Sequence, residues 1–452
     1  MFAHRGTVWV LGLMLMILGA GTARASDPWP NNVPRAEDGR GIKVGNRSTF
    51  HPGLAATLGY DSNVFWTKGP EPVRGSFYVT PSLWASIGNR AVRDGLLDSP
   101  PTDKERRADY NIGVLAGYRF YTHPRQTVRQ AGKLNVGVRI RFLSTPARRF
   151  SFGFEDDFRR IGEPQTFEAL REFNFNRFDN RARVRLIFRP GGGRLSIEGS
   201  YLSELLYFQS ANLTTGDKVA NGAMAEVKWR VRDRSAIVAR YTYMNTIYLC
   251  CAALGEGRNE DSNAHRVEAG YAGLLGKKWE LDGRVGYGRA RFFNDPNGPD
   301  FNSVLFSAGV AYYPTLRTRL QLRGFREFQD SLLGNYATDL GGRFYAAHTF
   351  RWNMLLDLGV AVQQRRFAGL AAPGEENANI ASYENAPDLV RQDLLFTGNV
   401  KVEQALGRFF SVALGYTVAV DSTDFAINFA DGGRDDAGFV KHMILVFGAV
   451  RY

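Results

Sequence analysis

The chain has 452 residues, with 57 Lys and Arg against 45 Asp and Glu, which gives a formal net charge of +12. Aromatic residues make up 13% of the chain and glycine contributes 49 residues, a composition typical of all-β proteins built from short alternating strands. Beyond the N-terminus no stretch approaches the roughly 18 consecutive apolar residues of a membrane-spanning helix. A soluble sandwich this long would normally divide into several domains, but no linker follows residue 48, which favours one closed architecture.

The N-terminus predicts a secretory signal peptide over residues 1–25. A charged start and an apolar run, residues 8–20, precede the small-x-small sequence Ala23-Arg24-Ala25, so we expect cleavage after Ala25. The alternative is an uncleaved anchor helix, but the apolar run is shorter than the roughly 20 residues that a spanning helix needs.

A short polar segment, residues 26–48, follows and predicts an irregular periplasmic lead, and residues 49–452 then form a series of strand-length segments. The first of these contains TLGYDSNVFW, residues 57–66, which alternates and then breaks at Asp-Ser-Asn. We interpret the break as a bulge or rim turn at the outer end of the first strand. Phe65 and Trp66 are then expected in the outer aromatic girdle.

The later segments alternate apolar residues with charged or small ones, so each strand has one apolar and one polar face. They run to about ten residues or more, the length that a tilted strand needs to cross a bilayer. A bilayer leaves no strand edge unpaired, so spanning strands must close into a barrel. The clearest segments are 133–142, 181–188, 279–287 and 394–403.

The segments number 18 by this pattern, an even count as expected for bacterial single-chain barrels. Tight turns alternate with longer polar connections, which matches short periplasmic turns and long outer loops; the exception is the long connection 89–107, interpreted as a periplasmic insertion. The predicted fold is therefore an all-β transmembrane antiparallel up-and-down barrel of about 18 strands (16–20).

The last segment, HMILVFGAVRY, alternates to the terminal aromatic residue and is similar to the C-terminal assembly signal of bacterial outer-membrane barrels. We therefore expect the protein in the bacterial outer membrane, in contact with outer-membrane lipid. The residues assigned to this signal are Val446, Gly448, Val450 and Tyr452.

Arginines dominate the faces that we expect to line the lumen, and rings of arginine favour anions in a pore. Arginine also stacks on planar faces and hydrogen-bonds several oxygens at once, so it suits a sugar polymer. Acidic residues share these faces, and the alternative is that lumen charges only pair across strands. The arginines are Arg139, Arg141, Arg181, Arg183, Arg185, Arg240, Arg284, Arg319, Arg323 and Arg343, and the acids include Glu155, Glu198, Glu204, Glu226, Glu268, Asp282, Asp357 and Glu403.

The sequence gives little support for catalysis or for a metal or cofactor site. Cys250 and Cys251 are adjacent, which predicts a vicinal disulfide or two free thiols in a loop, and no metal-ligand spacing accompanies them. The histidines are not grouped with a serine or paired aspartates, so we expect no enzyme, no metal and no cofactor. We place His51, His348 and His442 near the periplasmic ends and His123 and His265 near the outer rim.

Energised uptake and nucleic-acid binding are also disfavoured. Energised uptake needs a plug domain before the first strand, and only about 23 residues lie between Ser26 and that strand. Nucleic acid is not expected, because the basic residues alternate along strands instead of forming a helix face or a tail.

The sequence LGYDSNVFWTKGP followed by GSFYVTPSLWASIG resembles the first hairpin of the outer-membrane β-barrel porin family, and the strand pattern covers residues 49–452. The family motif Tyr-Asp-x-Asn-Val-Phe/Tyr is matched by Tyr60, Asp61, Asn63, Val64 and Phe65. A proline before an apolar run in the second strand is matched by Pro81, Leu83 and Trp84.

Some members of this family resemble barrels that carry capsule, biofilm or exopolysaccharide across the outer membrane. The resemblance implies a channel, and export of an exopolysaccharide or capsule polymer is our first hypothesis. Synthase-linked exporters carry a helical-repeat domain before the barrel, which residues 26–48 cannot hold. Export would therefore need separate periplasmic partner proteins.

Two alternatives stay open: a passive general or anion-preferring porin for small solutes, and a structural or adhesive surface barrel acting through loops 368–389 and 424–437. Export predicts a wide lumen with no segment folded inside it. A small-solute porin predicts a constriction, for which we considered loops 162–176 and 368–389. An adhesin predicts a filled lumen and ordered outer loops.

Overall fold

A computed structural model describes residues 41–45, 48–68, 74–89, 107–146, 148–162, 176–190, 193–209, 216–249, 261–293, 299–332, 334–370 and 380–452. The predicted signal peptide with its cleavage site at Ala25, most of the predicted lead 26–48, and Cys250 and Cys251 lie outside the described residues.

Alternating strands make up almost all of the described chain, joined by few helical turns. One short helix, α1 (Gln126–Gln130), and a 3-10 turn at Pro387–Leu389 interrupt them. The strands are β1 (Ile42–Val44), β2 (Ser48–Asp61), β3 (Ser76–Gly88), β4 (Ala108–Tyr121), β5 (Lys133–Ser144), β6 (Phe150–Ile161), β7 (Arg177–Phe188), β8 (Leu195–Phe208), β9 (Lys218–Arg232), β10 (Ser235–Tyr248), β11 (Ser262–Leu275), β12 (Trp279–Phe292), β13 (Phe301–Thr315), β14 (Thr318–Asp330), β15 (Gly334–Thr349), β16 (Met354–Leu370), β17 (Ile380–Glu384), β18 (Arg391–Leu406), β19 (Phe410–Ser422), β20 (Ala426–Phe429), β21 (Arg434–Asp436) and β22 (Phe439–Arg451).

These strands close into one antiparallel barrel. The main sheet has 19 strands; β1 is a short addition to the periplasmic end of β2, which leaves eighteen wall strands. Each wall strand pairs with the next, and β2 pairs with β22 from Gly53–Arg451 to Asp61–Met443, which closes the ring. The predicted all-β barrel of 18 strands is confirmed. β17, β20 and β21 form a separate three-stranded sheet at the outer end.

The outside of the wall is an apolar surface, as a bilayer requires. Leu54, Leu186 and Val285 are 62%, 65% and 60% exposed, and each alternates with residues that face the lumen. Aromatic pairs mark the periplasmic interface: Trp279 stacks on Tyr312 at 4.3 Å, and Phe409 stacks on Tyr452 at 5.2 Å, measured between ring centroids. This is the surface of a bacterial outer-membrane protein. No helix in the described part of the chain is long and apolar enough to span a membrane.

The terminal strand presents its predicted face to lipid, with Val446, Val450 and Tyr452 between 43% and 49% exposed. The carbonyl oxygen of Tyr452 also accepts a hydrogen bond from the Gly41 amide at 2.9 Å, so the described start of the chain adjoins its end at the periplasmic rim. The role of this strand in assembly stays a prediction.

Trp66 does not lie in the outer aromatic girdle, and that prediction is wrong. The chain turns inward after Asp61, whose carboxylate accepts a hydrogen bond from the Asn63 amide at 3.0 Å. The Asn63 side chain then donates to the carbonyl oxygens of Thr67 and Val440, at 2.9 and 3.1 Å, and fixes the turn over the rim. Trp66 has a positive φ of 61° and is 6% exposed. The polar trio therefore directs the aromatic side chain into the barrel.

The outer end of β14 separates from β13 and bends into the lumen together with the end of β15, which stays paired with β16 as far as Gly334–Leu370. Pairing between β13 and β14 stops at Phe306–Arg326, so the outer part of β13 pairs only with β12, while β14 beyond Arg326 pairs only with β15. Glycines lie at the bend, because Gly324 pairs with Gly342 directly below this point. Glycine within a strand is typical of a tight bend. We call the displaced tip, residues 328–332 and 334–336, the inner hairpin.

The small outer sheet, which we call the cap, packs on lumen-facing residues of the neighbouring strands. Phe425 and Ile427 form a buried cluster with Ala337 of β15 and Phe367 of β16. The Arg391 guanidinium lies 5.2 Å from the Phe425 ring centroid and pairs with Asp393 at 2.6 Å. Ordered outer loops therefore cover this side of the mouth.

Candidate functional site

All ten predicted arginines lie on strand faces directed into the lumen. On β7, Arg181, Arg183 and Arg185 alternate with Leu186, which is exposed to lipid. On β12, Arg284 alternates with Val285, and its side chain lies across Gly270 of β11, where an added Cβ would be 2.7 Å from its Cγ. Their role in translocation remains a proposal.

Six of these ten arginines form ion pairs with carboxylates, and four of the six pairs join adjacent strands. Arg183 pairs with Glu198, and Arg185 with Glu155 at 3.0 Å. The three charges on β7 are therefore part of a cross-strand belt, not an uncompensated ladder. The other pairs are Arg139–Asp157 (3.3 Å), Arg181–Asp179 (3.3 Å), Arg240–Glu226 and Arg323–Asp282 (2.7 Å).

The remaining predicted arginines make other contacts. The Arg343 guanidinium lies 4.6 Å from the Phe325 ring centroid, and Arg319 donates to Gln321 at 3.0 Å. Arg141 is directly opposite Glu155 in the β5–β6 register. Cation–π contact and cross-strand pairing fix these side chains against the wall.

Positive charge is nevertheless concentrated in one sector of the lumen, β4 to β7. Nine cationic and four acidic side chains share the lumen-facing positions of these strands, an excess of five. A sector with a net positive charge raises the local concentration of anions. The cations are Arg119, Lys133, Arg139, Arg141, Arg159, Arg177, Arg181, Arg183 and Arg185, and the acids are Asp109, Glu155, Asp157 and Asp179.

An apolar cluster joins distant parts of the wall inside the outer half of the barrel. It contains Trp66, Leu206 and Phe208 of β8, Ala419 of β19 and Phe439 of β22, with Leu332 of the inner hairpin packed against it. We call these six residues the cross-lumen cluster. Around the ring, β8 lies seven strands from β22 (β22, β2, β3, β4, β5, β6, β7, β8). In an eighteen-strand barrel, contact between these walls requires a narrowed lumen.

The inner hairpin is attached to the lumen wall by polar contacts. Asp330 forms an ion pair with Lys218 of β9, five strands from β14. Arg266 of β11 donates to the Phe328 carbonyl oxygen at 2.9 Å, and its guanidinium lies 4.1 Å from the Phe328 ring centroid. These contacts place the hairpin across the basic and acidic groups of β9 to β11.

Aromatic packing supports the same position. Phe328 stacks on Phe301 of β13 with centroids 4.1 Å apart, and Tyr336 stacks on Phe292 of β12 at 5.8 Å. Phe292 and Phe301 are buried on the lumen side of the wall. The hairpin therefore forms a second layer inside β12 and β13.

Trp66 is held by a buried charged group. The Lys441 ammonium lies 4.2 Å from the Trp66 ring centroid and pairs with Asp61 at 2.7 Å. Trp66 also meets Phe439 edge-on, with centroids 5.0 Å apart. Asp61, Lys441 and Trp66 therefore form one rigid support for this side of the cross-lumen cluster.

Outside the spanning strands, Asp217 borders the same cluster. Its carboxylate accepts a hydrogen bond from the Phe208 amide at 2.6 Å. Burial raises the pKa of Asp217 above its ordinary value, and that hydrogen bond opposes the rise. The carboxylate fixes the outer end of β8 where Phe208 enters the lumen.

The constriction uses segments that the sequence analysis did not assign. Loop 163–175 and residues 371–379 of the other considered loop lie outside the described residues, while the end of the latter forms the cap. His442 is also placed differently: it lies near the outer end of β22, where its amide bonds Ser62, and not near the periplasm. In the part of the chain that the structure describes, no three His, Cys, Asp or Glu side chains are grouped to hold a metal.

Comparison with known proteins gives likenesses of overall shape only. No family model matches the chain, and no curated relative matches it. A bacterial polysaccharide outer membrane secretin is 10% identical over 91% of this chain and 99% of that chain, with a TM-score of 0.35. Pseudomonas aeruginosa OccK2 (OpdF) in complex with glucuronate is 11% identical over 89% and 98%, with a TM-score of 0.43. Pseudomonas aeruginosa OccK1 (OpdK) is 9% identical over 89% and 99%, with a TM-score of 0.44. These values are too low to carry an argument about what this chain transports.

Proposed function

We propose that this outer-membrane channel is a porin that admits small solutes and prefers anions. The cross-lumen cluster is the observation that carries the proposal, because it narrows the outer half of the barrel as a small-solute porin requires. A polymer exporter would need that path to be open along its whole length.

The preference for anions follows from the basic sector of β4 to β7. Its cations outnumber its carboxylates by nine to four, so the local potential favours negative solutes. Ion pairs with carboxylates hold the guanidinium groups of β5 and β7 in place. A passing anion can then move from one guanidinium group to the next. Saccharide acids and other small carboxylates or phosphates are the solutes that fit this chemistry.

Liposome swelling tests this function directly. We expect proteoliposomes to swell in mono- and disaccharide acids faster than in neutral sugars of equal size, and to exclude long oligosaccharides. Equal rates for neutral, cationic and anionic solutes would contradict the anion preference. Absence of any swelling would favour the structural or adhesive alternative, in which the cap is the working surface.

Exopolysaccharide export with separate periplasmic partners is the second candidate. The observation that favours it is the glycine pair at the base of the inner hairpin, Gly324 and Gly342, which would allow the hairpin to swing back into the wall. Deletion of the gene separates the two functions. Loss of surface polymer with retention of polymer or precursor inside the cell supports export, whereas normal surface polymer supports the porin.

A further inference from the structure

A polar array lies on the lipid-facing side of β10, β11 and β12, away from the lumen. His265 lies on the same strand face as Val267, which is 57% exposed, and Tyr241 on the neighbouring strand is 42% exposed. In the strand register His265 is opposite Arg289, and Asn263 is opposite Arg291. Both arginines are exposed. The array is therefore on the outer surface of the barrel.

The depth of this array corresponds to the headgroups of the outer leaflet. Tyr287, 48% exposed, belongs to the lipid-facing surface and is opposite Val267. Arg289 is two residues farther toward the outer mouth, about 7 Å along the strand. Arginine at this depth extends its guanidinium into the polar headgroup layer while its stem covers apolar surface.

The aromatic and amide side chains of the array are fixed by hydrogen bonds. The Tyr241 hydroxyl bonds the His265 Nδ1 at 2.8 Å, and the Tyr243 hydroxyl donates to the Asn263 Oδ1 at 2.9 Å. Asn245 donates to the same Asn263 oxygen at 2.8 Å. The site is thus built before a ligand arrives.

Within the strands, the cations of this array differ from those of the lumen because no acidic residue lies on the same face. On the lipid-facing positions of β10 to β13 that the structure describes, the sequence places Arg289 and Arg291 but no aspartate or glutamate. Lumen arginines are mostly matched by carboxylates. Asp261 and Asp300 flank the outer end of the array, and their carboxylates accept hydrogen bonds from the backbone amides of Tyr248 and Phe292, at 2.8 and 3.2 Å. Anions from the surroundings can therefore still bind the two arginines.

We infer that Arg289, Arg291 and His265 form a binding site for the phosphate groups of a glycolipid in the outer leaflet. Arginine binds phosphate oxygens through paired N–H groups, and tyrosine and asparagine side chains bind neighbouring sugar hydroxyls. This inference does not depend on what the channel transports.

A second histidine–tyrosine pair provides an internal control. The Tyr416 hydroxyl bonds the His442 Nδ1 at 2.8 Å, also near the outer end and on the lipid-facing side. The His442 amide bonds Ser62, and the residue opposite His442 on β19 is Val418, where the first array has an arginine. Any binding that needs only an interfacial His–Tyr pair would occur at both places.

Binding of bis-phosphorylated lipid A to the purified full-length barrel, measured in detergent micelles, tests the inference. We expect Arg289→Gln with Arg291→Gln to weaken binding by at least about tenfold. The control is Arg317→Gln with Arg351→Gln, which removes the same charge from periplasmic turns, and His442→Gln is a second control. Both controls are expected to retain wild-type affinity.

Unchanged affinity in the Arg289/Arg291 variant, or an equal loss in the charge control, would overturn the inference. Wild-type protein with dephosphorylated lipid A provides a test that needs no variant: equal binding of both lipids would also overturn it. Inorganic phosphate that displaces lipid A at equal concentration would assign the site to a soluble anion and overturn the lipid assignment.

Discussion

The two halves of the β14–β15 hairpin follow one alternation pattern but meet different surroundings. In the periplasmic half, Arg323 faces the lumen and binds Asp282, while Leu322 lies on the opposite face. In the outer half, Phe328 lies on the same strand face as Leu322, yet it stacks on the lumen-side residue Phe301. Alternation therefore fixes which side chains share a face of a strand. What that face meets depends on whether the strand remains in the wall.

The inward bend of the hairpin also explains why apolar side chains from distant strands meet inside the outer half of the lumen. Charged pairs such as Arg183–Glu198 and Arg323–Asp282 line parts of the wall where the strands are paired. Where the hairpin bends inward, apolar side chains from β8, β22 and the hairpin meet. Burial of apolar surface then stabilises a structure inside the lumen.

Removal of the inner hairpin is expected to have the largest effect. Replacement of residues 328–336 by an Asn-Gly turn leaves the periplasmic halves of β14 and β15 paired and should raise single-channel conductance on the order of threefold, since the constriction is lost. A matched shortening of the β20–β21 turn, residues 430–433, should leave conductance near the wild-type value. Equal conductance in wild type and the hairpin variant would show that the hairpin does not narrow the path.

Neutralisation of the β7 arginines should change selectivity. Arg181→Gln, Arg183→Gln and Arg185→Gln together leave their partner carboxylates unpaired, so the anion-to-cation permeability ratio should fall on the order of fivefold at low salt. The reciprocal variant, Glu155→Gln with Glu198→Gln, should raise the ratio. Reversal potentials across a salt gradient measure both. Misfolding of the triple variant would mean that the pairs are needed for assembly.

The ion pair between Lys218 and Asp330 should contribute less. Lys218→Met leaves Asp330 unpaired against the wall, and the double-mutant cycle with Asp330→Asn should give a coupling free energy of about 1 kcal/mol. Urea unfolding followed by the heat-modifiable gel shift measures it. A coupling of zero would mean that the pair does not hold the hairpin.

Trp66→Ala should have the smallest effect on conductance, an increase below about twofold, because the hairpin and β8 remain in place. Phe65→Ala is the control, since Phe65 belongs to the same turn but packs outside the cross-lumen cluster. An increase as large as that of the hairpin variant would assign the constriction to Trp66 alone.

Regular alternation predicted the wall well. KLNVGVRIRF and RARVRLIF gave the correct lumen faces because every residue of β5 and β7 stays in a paired, straight part of the sheet. The arginines were therefore assigned to the right face. Their partners were not predicted, because the Arg183 side chain reaches along the wall to Glu198, which the register places opposite Ile187.

The constriction was not predicted, for two physical reasons. Trp66 was assigned to lipid because an aromatic residue after a strand is typical of a girdle, whereas the Asp61–Asn63 hydrogen bond turns the chain inward. The sequence pattern of the inner hairpin is that of two ordinary strands joined by a short loop. The available signal was the glycine content of its base, at Gly324, Gly341 and Gly342, where an added Cβ on Gly341 would be 2.5 Å from the Val362 carbonyl oxygen.

A cross-linking experiment in outer membranes tests whether the inner hairpin reaches across the lumen. Lys218→Cys and Asp330→Cys would be introduced together, with Cys250 and Cys251 replaced by serine, and treated with a short bis-maleimide. We expect a rapid intramolecular cross-link, a changed gel mobility of the unfolded chain and a permanently low conductance. Failure to form the cross-link, with both thiols reactive toward a single maleimide, would show that the hairpin lies in the wall and does not cross the lumen.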